Sequence, residues 1–181
     1  LAAHGGFHHI EFAGDKDPCV RRVTLSLESL SRLQGHMMLF FTGISRTASD
    51  IAARQIENIP HRQKELSTMY AMVAEAMQCL RVDDFRGFGH LLNESWQIKR
   101  TLSSEITTPL VDDIYARAMK AGAWGGKLLG AGGGGFILIF VEPEKKQIVR
   151  EALKQLLEIP FRFESLGSQI IFYQPDSGVV A

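Results

Sequence analysis

Gly125-Gly126-Lys127-Leu128-Leu129-Gly130-Ala131-Gly132-Gly133-Gly134-Gly135-Phe136-Ile137-Leu138-Ile139-Phe140 is the stretch whose reading decides the fold. Five of the six residues from Gly130 to Gly135 are glycine. Each ordered glycine costs backbone entropy, so a folded chain keeps such a run only where its main chain has to be bare. Two uses meet that condition. Main-chain N–H groups converge on an anion such as a phosphate, or another segment approaches more closely than a Cβ would allow. The apolar Leu128-Leu129 before the run and the β-rich Phe136 to Val141 after it make the run a connection between two strands. It is not a phosphate loop of the strand-to-helix kind, because no Gly-Lys-Ser/Thr follows and the next helix signal is Pro143. The dinucleotide fingerprint fails for the same reason.

The rest of the composition narrows the function classes. With 181 residues, 45% of them hydrophobic, the chain is long enough for one sizeable core or two small ones. Twenty Lys and Arg balance 20 Asp and Glu, which removes the electrostatic case for a dedicated nucleic-acid or membrane-surface protein and leaves room for a local basic site. Cys19 and Cys79 stand far apart without a C-x-x-C pattern and read as reduced thiols of a cytoplasmic protein. No apolar run approaches the roughly 20 residues that span a bilayer, and the first residues do not read as a signal peptide. Opening on Leu1 among small residues, the chain is expected to be a fragment that begins inside a larger protein.

Outward from the glycine run, the elements fall into an order. Phe7 to Phe12 alternates as a strand, Asp15 to Pro18 turns, and a second strand runs near Val20 to Leu25, forming a hairpin. His4, His8 and His9 invite a metal, but no carboxylate or cysteine stands at ligand spacing, and ordinary strand histidines are the preferred reading. Met37 to Phe41 is a continuous apolar run of the length of a buried central strand. It ends in Thr42-Gly43-Ile44-Ser45-Arg46-Thr47-Ala48-Ser49-Asp50, where the period changes and a helix begins, with Ser45 or Thr47 as its N-cap. A glycine, three hydroxyls and an arginine entering a helix N-terminus suit an anion; a capped helix with Arg46 on the surface fits equally.

After Pro60, the residues Leu66, Met69, Tyr70, Val73, Ala76, Met77 and Leu80 keep one helical face, with the methionines as core filling. A further helix starts at a cap, Asp83 or Asp84, and runs through Phe85, Phe88, Leu91, Leu92 and Trp96. Another has Thr108 as N-cap and Pro109 at its first position, and closes at Gly122. Pro143 opens a helix with Ile148, Val149, Ala152, Leu153, Leu156 and Leu157 in register, and Pro160 ends it. Phe161 to Glu164 and Gln169 to Tyr173 read as strands. From Met37 the order is strand, helices, strand, strand, helix, strand. The expected fold is therefore α+β, ferredoxin-like (split βαβ), with extra helices between the first and second sheet strands. Residues 1–35 are expected to be a strand-bearing remnant or inter-domain hairpin, and 36–181 the domain itself.

Lys127 to Phe136 resembles the third, C-terminal motif of the GHMP kinases, the superfamily of galactokinase, homoserine kinase, mevalonate kinase and phosphomevalonate kinase. Within that group, Phe41-Thr42-Gly43-Ile44-Ser45-Arg46, Leu92-Asn93-Glu94-Ser95-Trp96 followed by Lys99, and Pro160-Phe161-Arg162-Phe163 resemble the D-glycero-D-manno-heptose 7-phosphate kinases and, more loosely, the kinase part of fucokinases. The likeness runs along essentially the whole chain, and its motifs are specific in combination. It implies an N-terminal kinase domain, missing here, that carries a Gly-Leu-Gly-Ser-Ser nucleotide loop. It also implies a catalytic aspartate in a Gly-x-x-Asp-Gln-Tyr phrase upstream of Leu1. Leu1-Ala2-Ala3-His4-Gly5-Gly6-Phe7 aligns with the end of that region, so no residue of this chain, Asp15 and Asp17 included, is expected to be the catalytic base.

For the intact enzyme the resemblance implies phosphoryl transfer from ATP with Mg²⁺ to the anomeric hydroxyl of a heptose 7-phosphate, in lipopolysaccharide or surface-polysaccharide sugar synthesis. It assigns Thr42, Gly43, Ser45 and Arg46 to the sugar, with Arg46 toward its 7-phosphate, since a guanidinium binds phosphate through two parallel hydrogen bonds. It assigns Gly130, Ala131, Gly132, Gly133, Gly134 and Gly135 to support of the nucleotide-phosphate loop, and no residue of the chain to a metal. Lys127 has two readings, a phosphate contact at the loop edge or a solvated strand residue. The fragment is expected to be inactive alone, with ATP, the phosphorylated sugar and the N-terminal domain as partners, and neither nucleic acid nor membrane. Alternatives are a fucokinase- or galactokinase-like enzyme, or a non-catalytic ferredoxin-like module that binds a small ligand or partner chain.

Overall fold

Residues 5–14, 16–44 and 48–172 are described by a computed structural model, with backbone alone for 48–51. The chain divides into two compact units, Leu25–Phe161 and the described residues that flank it on either side. The larger unit is built on a four-stranded antiparallel sheet. Its strands are β3 (Met37–Phe41), β4 (Ala123–Leu128), β5 (Phe136–Val141) and β6 (Leu157–Glu158), in the spatial order β4-β5-β3-β6. β3 pairs with β5 along its whole length, from Met37 opposite Phe140 to Phe41 opposite Phe136. β6 covers only Phe40 and Phe41 on the other side. The chain order of strands and helices is the one expected from the sequence, and α2 (Ala48–Asn58), α3 (Gln63–Arg81), α4 (Phe85–Thr101) and α5 (Pro109–Lys120) lie between the first and second strands of this sheet.

Apolar spacing and caps explain these helices. Asp84 accepts a hydrogen bond from the Gly87 N–H at 2.8 Å, and Thr108 caps α5 by accepting from Val111, with Pro109 at the first helical position where no N–H is needed. The expected caps of α2, Ser45 and Thr47, lie outside the described residues. α4 lies unusually close to β4 because glycines meet there. A Cβ on Gly125 would sit 2.0 Å from the Gly89 carbonyl oxygen, and one on Gly89 would sit 2.8 Å from Trp124 Cβ. Met38, Phe40, Trp96, Ile106, Val111, Ile114, Leu128, Ile137, Ile139 and Val141 fill the core between sheet and helices.

Three parts of the chain depart from the sequence reading. A helix, α1 (Leu27–Gly35), precedes β3 with Ser26 as its N-cap, accepting from Ser29 N–H; Leu27, Leu30 and Leu33 set its period. The expected helix from Pro143 to Pro160 is a 3-10 turn at Pro143–Lys145 followed by α6 (Lys146–Ala152). The chain then joins the sheet as β6, so the last strand comes before Pro160, and Phe161 to Glu164 forms none. Ile159 still donates to the Leu39 carbonyl at 2.8 Å; Pro160, lacking an N–H, ends the ladder. Gln169 to Phe172 is likewise not a strand, and Tyr173 lies outside the described residues.

In the smaller unit, β1 (His8–Glu11) and β2 (Cys19–Arg22) form an antiparallel pair, His8 opposite Arg22 and Glu11 opposite Cys19. Gly6 donates to the Glu164 carbonyl at 2.6 Å, and Phe7 meets Phe163 edge to face at 4.9 Å. Among the described residues no helix is long and apolar enough to cross a membrane.

Candidate functional site

The glycine run joins β4 to β5, as its flanks require, and four parts of the larger unit hold it. Gly130, Gly132, Gly133 and Gly135 have φ of 74°, 128°, 74° and 96°, in the region that L side chains disfavour. Gly132 and Gly134 are bare for a second reason. A Cβ on Gly132 would lie 2.8 Å from Ile106 Cα, and one on Gly134 would lie 2.7 Å from the Ile44 carbonyl oxygen. Gly133 N–H donates to the Ile106 carbonyl at 2.9 Å and Gly135 N–H to the Ile44 carbonyl at 2.7 Å. Close approach is therefore one use of the run, made to the segment after β3 and to the connection between α4 and α5.

Three of the loop's carbonyls, those of Gly130, Ala131 and Gly135, meet donors from other parts of the unit. Lys99 Nζ on α4 donates to Gly130 at 2.7 Å, Gln55 Nε2 on α2 donates to Ala131 at 2.7 Å, and Thr42 donates to Gly135 through both its N–H, at 2.8 Å, and its hydroxyl, at 2.9 Å. The N–H groups of Gly130, Ala131, Gly132 and Gly134 find no acceptor among the described residues. A loop with four N–H groups open and the carbonyls of Gly130, Ala131 and Gly135 occupied suits an anion.

The charges beside it have the same sense. Lys99 is brought down to about 8, first by burial and then by repulsion from Lys127, and burial also lowers Lys127. Neither lysine pairs with a carboxylate among the described residues. Lys127 is half-buried, which departs from its reading as a solvated strand residue. Two unneutralised cations in a partly dehydrated place favour an anionic partner.

Of the residues the sequence pointed to, Thr42 is buried and braces the loop from below, while Gly43 is exposed with φ 78° and open space where a Cβ would stand. Ser45 and Arg46 lie outside the described residues. Gln55 and Ile106 were not singled out: Gln55 carries no motif, and Ile106 acts through its backbone. Lys99 was marked only as part of a phrase. α2 also holds the α4–α5 connection, through Arg54 to Glu105 at 2.8 Å and Asn58 to the Leu102 carbonyl at 3.0 Å.

Comparison with known proteins follows this geometry. The family model for the C-terminal part of GHMP kinases matches residues 54–159. D-glycero-alpha-D-manno-heptose 7-phosphate kinase of Campylobacter jejuni is 32% identical over 157 residues, covering 85% of this chain and 46% of that protein. The crystal structure of a D-glycero-D-manno-heptose 1-phosphate kinase from Bacteroides thetaiotaomicron is similar with a TM-score of 0.61 at 26% identity, over 92% of this chain and 45% of that one. Mevalonate kinase of L. major, at 16% identity, shares the fold alone, with a TM-score of 0.69 over 92% of this chain and 51% of that one. The chain thus spans about half the length of these relatives. Since the matched residues take in the glycine loop, the lysines beside it and three of the four parts that hold it, the chain belongs to the GHMP kinases and carries their C-terminal domain.

Proposed function

We propose that this chain is the substrate-side portion of an ATP-dependent sugar kinase that phosphorylates the anomeric hydroxyl of D-glycero-D-manno-heptose 7-phosphate. The observation that carries the reading is the loop with the N–H groups of Gly130, Ala131, Gly132 and Gly134 open and the carbonyls of Gly130, Ala131 and Gly135 occupied, flanked by Lys99 and Lys127. Phosphoryl transfer asks for little covalent help from the protein and much positioning and charge neutralisation, which such a loop supplies. The names of the two heptose kinase relatives, one for the 7-phosphate and one for the 1-phosphate, support a phosphorylated heptose as the substrate class.

In this reading Gly130 to Gly135 support the nucleotide-phosphate loop of the N-terminal domain and turn their open N–H groups toward the phosphates of ATP, with Lys127 beside them. Gly43, Ser45 and Arg46 meet the sugar, Arg46 at its phosphate, and Thr42 acts through its hold on Gly135. ATP, when bound, supplies the transferred phosphoryl group. Among the described residues no three His, Cys, Asp or Glu side chains form a cation cluster, and none is assigned to Mg²⁺. No catalytic base is assigned within these residues, so the 181 residues by themselves are expected to be inactive.

The test compares the natural full-length polypeptide with the 181-residue chain in assays with ATP and heptose 7-phosphate. Turnover is expected from the first and absent from the second; turnover by the second refutes the assignment. In the full-length protein Arg46→Ala should raise KM for the phosphorylated sugar by roughly tenfold to a hundredfold, the loss of charge-assisted hydrogen bonds, and leave KM for ATP near its original value. Equal effects on both substrates would remove Arg46 from the sugar phosphate.

A further inference from the structure

Lys99 and Gln55 reach the glycine loop from different helices and donate to consecutive carbonyls, those of Gly130 and Ala131, each at 2.7 Å. A trans peptide sets its N–H antiparallel to its C=O in one plane. Fixing the Gly130 carbonyl toward α4 therefore aims the Ala131 N–H away from α4, and fixing the Ala131 carbonyl toward α2 aims the Gly132 N–H away from α2. Without such donors these planes have little reason to keep their orientation, because Gly130 and Gly132 move between positive and negative φ at small cost. A flipped plane would present a carbonyl where an N–H had been, and an anion would meet an acceptor.

We propose that Lys99 and Gln55 are positioning residues that lock the peptide planes at 130–132 with their N–H groups outward, toward a phosphate of the nucleotide. The proposal rests on the kinase reading for the identity of the anion, and on the two hydrogen bonds for the lock itself. Lys99 thereby does two things at once: its ammonium fixes a carbonyl and adds positive potential behind the loop. Gln55 supplies the same lock without a charge of its own, and amide exchange read with no substrate present reports the orientation apart from the electrostatics.

The experiment uses the full-length protein and three variants: Lys99→Met, Gln55→Glu, which keeps the size of Gln55 but replaces its amide donor with an acceptor, and Arg117→Met as control. Arg117 donates to the Ala152 carbonyl and to Gln155 and pairs with Asp113, away from the loop, so its loss removes more bonds from the fold than either loop variant does. Lys99→Met and Gln55→Glu should each lower kcat/KM for ATP by about tenfold, with the control within about twofold at a fall in Tm at least as large. Amide exchange over 129–135, read with no substrate present, should quicken in the first two variants and stay unchanged in the control. Exchange that is unchanged in Lys99→Met and Gln55→Glu, or kinetic losses that track Tm across all three variants, would overturn the lock. Should the wild-type protein fail to phosphorylate the sugar, the kinase reading falls while the exchange measurement still decides this one.

Discussion

Gly130 and Gly134 stand four residues apart in one run and are glycine for different reasons. Gly130 has φ 74° and open space around its missing Cβ, whereas Gly134 has no left-handed φ and faces the Ile44 backbone at 2.7 Å. The difference is testable by side-chain choice. Asparagine tolerates the left-handed region better than alanine, so Gly130→Asn should be milder than Gly130→Ala, whose cost is about 1–2 kcal/mol. At 134 the order reverses: Gly134→Ala forces a backbone shift worth about 1–3 kcal/mol, and Gly134→Asn is worse. Urea unfolding of the four variants gives the two orderings, and a shared order at both positions would refute the distinction. From the sequence alone these glycines are indistinguishable, since the composition of the run says the main chain must be bare and not why. The partners that decide, Ile106 through its backbone and Ile44 through its carbonyl oxygen and side chain, are brought there by the fold, and nothing within the run marks them.

At the level of elements, the start of α4 offers a reversal of sign. Glycine inside a helix normally costs about 1 kcal/mol relative to alanine. At Gly87, however, a Cβ would lie 2.3 Å from Oδ2 of Asp84, the carboxylate whose Oδ1 caps the helix. Gly87→Ala should therefore displace the cap and fail to stabilise, Asp84→Ala should cost about 1 kcal/mol, and adding Gly87→Ala to Asp84→Ala should recover stability. Additive effects in thermal unfolding would show that cap and glycine are unrelated. Helices α4 and α5 were legible because apolar period and cap residues agree, and α3 through its apolar period alone. α1 was not legible although Ser26 and the leucines at 27, 30 and 33 mark it, because a helix of nine residues shows its period over too few turns to stand out after a strand. The region after Pro143 was misread for a different reason: Leu156 and Leu157 continue a helical period by coincidence, and a two-residue strand is too short to show alternation. What made β6 a strand is its partner, Phe40 and Phe41, which lies more than a hundred residues earlier.

For the molecule as a whole, order of elements and family membership were legible, while the donors that sort the loop's polar groups were not, since they depend on which helices the sheet brings alongside β4 and β5. The smaller unit leaves large apolar side chains exposed, with Phe12 at 79%, Ile170 at 83%, Ile171 at 95% and Phe172 at 78%. Surfaces of this kind seek cover. The 181-residue chain expressed alone should self-associate, with light scattering showing mass rising with concentration; a clean monomer at high concentration would count against that expectation.

The Gly135 carbonyl takes two donors from Thr42, and the Gly135 N–H returns to Ile44. Three bonds within so few atoms weld the segment that leaves β3 to the bend that enters β5. Any displacement of one of these two pieces therefore carries the other with it, so the pair moves as a single jaw.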